Sequence, residues 1–256
     1  MTSANIIERR NQLVELTREK GRISTEEASK LFGVSNETIR QDLLFLESKH
    51  ILKKVHGGAI LYDNAVIEPL AKRQSENYKA KLAIAKKAME YVPEAGGIIG
   101  MDMGSTIAIL AELLASTTGN LIITNSQPVL QKMLESKNRL YCLGGEYNAH
   151  DMAYQGEQTI NALKKLSLDV CFMGTSGVFN RNGICSADFH DISVKQELIH
   201  RSLITVVLAD STKFTKSSLV EVVGWNEIDI VITDSGINSD LAAKLRENVE
   251  LVIVEA

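Results

Sequence analysis

The feature that most narrows the fold is a pair of short helical patterns separated by only two residues. The first opens at Ser24-Thr25-Glu26-Glu27, a capping box in which the serine hydroxyl can accept from a first-turn amide while Glu27 reaches back. It turns Ala28, Leu31 and Phe32 inward and stops at Gly33. After Gly33-Val34 a new N-cap, Ser35, starts a helix with Ile39, Leu43 and Leu46 on one face. Helices joined so tightly must cross steeply, which is the helix-turn-helix arrangement. A helical pattern over 6–20, with Ile6, Leu13 and Leu16 as its apolar stripe and Gly21 as its C-cap, precedes them.

With that inward stripe assigned, the third helix points Asn36, Glu37, Thr38, Arg40 and Gln41 outward. Arginine and glutamine can make paired hydrogen bonds to base edges, and asparagine and threonine serve bases or phosphates. The helix start at Ser35 welcomes a phosphate. From Ile51 to Leu61 the chain alternates like a strand, turns at Gly57-Gly58 and returns. This reads as a two-stranded wing carrying Lys53, Lys54 and His56 near a nucleic-acid backbone. Double-stranded DNA is the expected partner, and a three-helix module that binds protein is the alternative. Residues 1–56 carry a net charge of +2 and the remainder −6, within a total of −4. A mildly basic end on an acidic body fits a DNA reader but is a weak signal by itself.

Residues 62–77 are polar and irregular and read as a linker between a domain at 1–61 and another at 78–256. A helix is expected from Tyr78, with Leu82, Ala85 and Met89 on one side, ending before Pro93. From Gly96 short apolar runs alternate with helical patterns. Strands are expected at 98–101, 121–124, 139–143, 170–173, 204–208, 229–233 and 251–254, with helices between most of them. The fold class is therefore α/β: a small winged helix-turn-helix domain, then a mostly parallel sheet wrapped by helices.

Sheets of this kind bind ligands at their carboxyl edge. Five strand ends there are polar or glycine-bearing. They are Asp102-Met103-Gly104-Ser105-Thr106, Thr124-Asn125-Ser126, Gly144-Gly145, Gly174-Thr175-Ser176 and Asp210-Ser211-Thr212-Lys213. A carboxylate, a flexible glycine and two hydroxyls at a helix start form a phosphate cradle, and Lys213 offers charge to an anion. Any one of these could be a cap or a turn, but five on one edge argue for a small-molecule site.

The run from Val34 to Leu43, then Leu46-Glu47 and His56-Gly57-Gly58-Ala59, resembles the signature of the DeoR family of repressors. That family usually has a second arginine where this chain has Gln41. Glutamine prefers adenine edges where arginine prefers guanine, so an altered base preference is expected, with Arg40 on a phosphate. The segments at Asp102–Thr106, Thr124–Ser126, Gly144-Gly145 and Asp210–Phe214 resemble the family's sensor domain, in the same order. The resemblance implies a fold shared with ribose-5-phosphate isomerase. It also implies a phosphorylated sugar or polyol as effector, relieving repression of a carbohydrate or polyol catabolic operon. Asp191 stands where the family commonly carries a glutamate. Lys195 matches a family lysine that could bind the ligand or pair with Asp191.

The rival reading is an isomerase-like enzyme carrying a DNA-binding domain, with Asp102, Asp191, Asp210, Lys195 and Lys213 doing acid–base work on a sugar phosphate. A DNA reader fused in front favours binding and reporting over turnover. No Ser-His-Asp order, metal-ligand spacing or nucleotide fingerprint appears, so neither catalysis, metal nor cofactor is expected. His190 with Asp191 reads as a solvated loop pair, and Cys142, Cys171 and Cys185 as buried small hydrophobes. Glu8, Arg9 and Arg10 interrupt any apolar run near the N-terminus, and no stretch is long and apolar enough for a bilayer. A cytoplasmic protein is expected, and a dimer or larger homo-oligomer, since one winged domain covers little operator.

Overall fold

The computed structural model describes residues 3–20, 22–48, 51–55, 57–61, 70–149 and 151–256. The chain forms two compact units, residues 1–66 and 67–256. Gly21 and His56, expected as a cap and a wing residue, lie outside the described residues.

In the first unit α1 (Ser3–Lys20) is followed by β1 (Arg22–Ser24), α2 (Thr25–Phe32), α3 (Asn36–Ser48), β2 (Leu52–Val55) and β3 (Gly58–Leu61). The Ser24 hydroxyl accepts from the Glu27 amide and starts α2. Gly33 ends it at φ 62°, a left-handed conformation that costs glycine nothing. The wing has three strands in the order β1-β3-β2, so Arg22–Ser24 adds a strand that the sequence reading did not include. The core is Leu13, Ile23, Ala28, Ile39, Leu43, Leu46, Leu52 and Ala59, with Leu16 and Phe32 packed at its margin. Leu31, expected inside, is 57% exposed. Leu31 follows Ala28 by three residues, about 60° round the helix, and falls on the solvent margin of the stripe that Ala28 and Phe32 define.

The second unit starts with α4 (Leu70–Ser75), a short helix inside the stretch read as irregular linker, and α5 (Tyr78–Ala88). The buried stripe of α5 is Lys81, Ile84, Ala85 and Ala88, one residue round from the expected Leu82, Ala85 and Met89. Then come β4 (Ile98–Met101), α6 (Ser105–Leu114), β5 (Thr118–Thr124), α7 (Gln127–Met133), β6 (Lys137–Cys142) and the hairpin β7 (Glu146–Asn148) and β8 (Ala153–Gln155). They are followed by α8 (Glu157–Leu163), β9 (Leu168–Met173), β10 (Gly183–Ser186), α9 (Ile192–His200), β11 (Ser202–Leu208), β12 (Val220–Gly224), β13 (Ile230–Asp234), α10 (Ser239–Arg246) and β14 (Glu250–Val254).

Seven of these strands form one sheet, β14-β13-β11-β9-β4-β5-β6, and every pair in it is parallel. Strand alternation places Val170 and Phe172 in the core beneath α5, α6 and α7, and Cys171 and Met173 in the core beneath α8, α9 and α10. The chain runs outward from β4 to β6, returns to the middle at β9, and runs outward again to β14. The neighbours β4 and β9 thus mark the point where the strand order reverses, the place where a doubly wound sheet opens a crevice at its carboxyl edge.

Candidate functional site

In the first unit α3 divides cleanly between faces. Ile39, Asp42, Leu43 and Leu46 are buried, while Ser35, Asn36, Glu37, Arg40 and Gln41 are exposed and Thr38 is half-buried. The Ser35 hydroxyl accepts from the Thr38 amide at 3.1 Å and so caps the helix start. Lys53 and Lys54 are both exposed on β2, and the Lys54 amide donates to Glu47 Oε1 at 2.9 Å, tying the wing to α3. Asp42 is a residue the sequence reading passed over. Its carboxylate is buried and takes Arg9 Nε at 2.6 Å and Arg10 Nε at 2.7 Å, locking α1 against α3. The Arg10 guanidinium also lies 3.7 Å from the centre of the Phe45 ring. The signal was available: Asp42 precedes Leu43 on the inward stripe, where a carboxylate must find a cation.

In the second unit the strand reversal puts Asp102, just past β4, beside Gly174, just past β9. The Gly174 amide donates to Asp102 Oδ2 at 3.0 Å, and Lys195 on α9 donates to the same oxygen. Asp102, Asp191 and Lys195 are all buried. Burial pulls the Lys195 ammonium down, but the charges of Asp102 and Asp191 outweigh it and hold the lysine above its ordinary range. Asp191 lies 4.0 Å from Lys195 Nζ. Burial pushes its carboxyl up to about 6, against the pull of Lys195 and of the Ser186 side chain. On the next strand end the Asn125 amide nitrogen donates to the Tyr154 carbonyl, and its buried Oδ1 has no partner among the described residues.

The remaining residues divide between the first turn of α6 and local architecture. Ser105 and Thr106 are buried in the first turn of α6, after Gly104 at φ 139°. Thr124 Oγ1 donates to the Met101 carbonyl and accepts from the Ser126 amide, and Ser126 caps α7, so both hydroxyls are committed to the turn. Gly145, at φ 143°, packs so closely that a Cβ would stand 2.3 Å from Thr159 Oγ1. The Gly144 carbonyl accepts from that same hydroxyl. This glycine pair is a packing turn. Ser176 is half-buried and holds the Cys185 carbonyl through its amide.

A second polar group gathers past β11. Asp210 accepts from the Thr212 amide and hydroxyl and from Asn77 Nδ2 at 3.3 Å. Burial lowers the Lys213 ammonium; Asp210 opposes this, and the like charges of Lys216, Lys81 and Arg73 add to it. Lys81, 3% exposed, donates to the Arg73 and Glu76 carbonyls, and burial lowers it too. The sequence reading missed Lys81, Arg73 and Asn77; the available signal was a lysine on the apolar stripe of α5. His190 and Asp191 do not form the expected solvated pair. His190 is exposed and meets Asp188 at 2.8 Å, while Asp191 turns inward as the N-cap of α9. Cys171 and Cys185 are buried and Cys142 is exposed, because it sits on the edge strand β6. Among the described residues no cluster of three metal-ligating side chains occurs, and no helix is long and apolar enough to cross a membrane.

A winged reader followed, in one chain, by a doubly wound domain with buried polar side chains clustered at its strand reversal defines a DNA-binding transcription regulator with a sensor domain. Residues 9–65 match the DeoR-like helix-turn-helix domain and residues 76–235 the DeoR C terminal sensor domain. The chain belongs to the DeoR family. It is 30% identical over 229 residues to the glycerol-3-phosphate regulon repressor of Escherichia coli (strain K12), covering 89% of this chain and 90% of that one. It is 31% identical over 234 residues to the lactose phosphotransferase system repressor of Staphylococcus aureus, covering 89% and 91%. Among solved structures, ribose 5-phosphate isomerase A of Methanocaldococcus jannaschii aligns with a TM-score of 0.40 and 19% identity, over 54% of this chain and 55% of that one.

Proposed function

We propose that this regulator represses a carbohydrate or polyol catabolic operon and releases its operator when a phosphorylated sugar or polyol fills the crevice of the second unit. The observation that carries the reading is the chemistry at that crevice. It combines Asn125 Oδ1, a buried acceptor without a partner among the described residues, and the desolvated Asp191 carboxylate with the buried Lys81 and the half-buried Lys213 past β11. A buried acceptor without a donor and a desolvated carboxylate call for a donor-rich ligand such as a polyol, and crowded desolvated lysines call for an anion. The amide end of α6, with Ser105 and Thr106, adds positive potential for a phosphate. Relatives named for a glycerol-3-phosphate regulon and a lactose phosphotransferase system support the same chemical class.

Arg40, Gln41, Asn36 and Thr38 would read or position the operator, with Lys53 and Lys54 on the backbone. The protein would act in the cytoplasm as a homo-oligomer, two readers meeting two half-sites. Asp102 and Lys195 satisfy each other in a buried pair, which suits binding and reporting, so no turnover is expected. The test pairs two variants in mobility-shift and thermal-shift assays against a series of sugar and polyol phosphates. Arg40→Ala should lower operator affinity at least tenfold and leave the ligand-induced rise in melting temperature unchanged. Thr106→Ala should do the reverse. Normal operator binding by Arg40→Ala would dismiss the recognition-helix assignment, and isomer formation dependent on Asp102 would favour the enzyme.

A further inference from the structure

The outward face of α3 carries a negative charge where a DNA reader can least tolerate one. Glu37 is exposed in the first turn, and a carboxylate there is repelled by the phosphates that flank a major groove. An ordinary explanation is available, because acidic residues stabilise helix starts. The hydrogen bonds argue for something more specific. The helix start is already capped by the Ser35 hydroxyl, and the Glu37 side chain turns along the helix to Gln41, suited to read a base, and to Arg40, expected on a phosphate. Its Oε1 takes Gln41 Nε2 at 3.1 Å, and its Oε2 stands 3.5 Å from Arg40 NH1. The hydrogen bond from Gln41, with lesser help from Arg40 and Lys54, holds the Glu37 carboxyl below the usual glutamate range.

A glutamine side chain presents an oxygen at one end and two N–H donors at the other, and a 180° rotation exchanges them. Next to a carboxylate only one orientation is favourable, since the other sets oxygen against oxygen. Glu37 therefore fixes which end of the Gln41 amide is nitrogen and takes one of its N–H groups. The amide oxygen and the second N–H remain, and that pair matches the N6 donor and N7 acceptor of adenine.

We propose that Glu37 sets the base preference of this reader by orienting the Gln41 amide and tethering Arg40, at some expense in total affinity for DNA. Glu37 is a positioning residue in this account, and the inference rests on the DNA-reader assignment above. Four full-length proteins test it, each selecting from a randomised duplex pool: wild type, Gln41→Ala, Glu37→Ala and the double variant. Gln41→Ala locates the base pair that Gln41 reads by flattening one position of the wild-type motif. Glu37→Ala should flatten that same position, from about tenfold preference to about twofold, and the double variant should flatten it no further. Affinity of Glu37→Ala for random DNA should rise severalfold, because a negative charge has left the interface.

Glu37 is exposed, so its replacement should leave the melting temperature near that of wild type, and alanine is the strongest helix former. A merely structural role would weaken all positions evenly and would not raise affinity for random DNA; that result would overturn the proposal. A Glu37→Ala motif identical to wild type would overturn it as well, leaving the DNA reader intact. A wild-type pool with no enriched motif would remove the reader assignment and this inference together.

Discussion

Asp191 is held at a disadvantage that can be measured. Its carboxyl titrates near 3.8 in an unfolded chain and at about 6 in the folded one, chiefly because it is buried. Between those values the native state binds more protons than the unfolded state, so this group's contribution to stability falls as pH rises from 4 to 6. Above pH 6 the full cost remains, on the order of 3 kcal/mol from the linkage relation. Asp191→Asn should raise the melting temperature of the second unit by several degrees at pH 7.5 and make little difference at pH 4. A melting-temperature difference between variant and wild type that stays flat from pH 4 to 7.5 would show that the carboxylate is not so strained. The same variant should weaken effector binding, because proteins retain such costs where function uses the group. The position of Asp191 beside Lys195 was open to a sequence reading, which places the two one helical turn apart. That Lys195 would donate its hydrogen bond to Asp102, ninety-three residues away along the chain, was not, since that contact depends on how the strands are ordered.

At the scale of elements, the recognition helix is held by charge as well as by its apolar face. Asp42 on α3 joins Arg9 and Arg10 on α1, and Arg9 is itself 6% exposed. Removing one partner from a buried pair leaves an uncompensated charge and costs about 3–5 kcal/mol. A unit of this size is stabilised by only roughly 3–9 kcal/mol, so Asp42→Ala should unfold much of the reader while sparing the sensor. Hydrogen exchange of the α3 amides would show it: protection should be lost in 36–48 and kept in β4 and β9. Retained protection in α3 would mean that the apolar core alone suffices. The helices of the reader were legible because capping residues and turn glycines act over a few residues, as at Ser24, Gly33 and Ser35. The third wing strand was not, because Arg22–Ser24 is too short to show alternation and forms only by pairing with β3. The stripe of α5 was misplaced for a related reason: Lys81 occupies an inward position that a hydrophobic pattern assigns to its neighbour Leu82.

For the whole molecule, the sequence shows the alternation of strands and helices but not the order of strands in the sheet, and it is the order that makes the site. Two runs of parallel strands grow outward from β4 and β9, so the loops after those two strands meet although their glycine and carboxylate are seventy-two residues apart. Under the function proposed above, effector and operator are coupled through free energy alone. An effector can weaken DNA binding only by the amount that DNA weakens effector binding. Couplings of this kind are typically 1–3 kcal/mol, a factor of about 5–150. A sugar or polyol phosphate that stabilises the sensor should therefore lower operator affinity by a factor in that range at saturation. Titrating the same ligand with the operator already bound should raise its dissociation constant by an equal factor. Glu37→Ala should leave that factor unchanged, because Glu37 acts on which bases are read, whereas Asp191→Asn should reduce it. A ligand whose affinity is the same with and without operator binds the sensor without informing the reader, and would have to be rejected as the effector however tightly it is held.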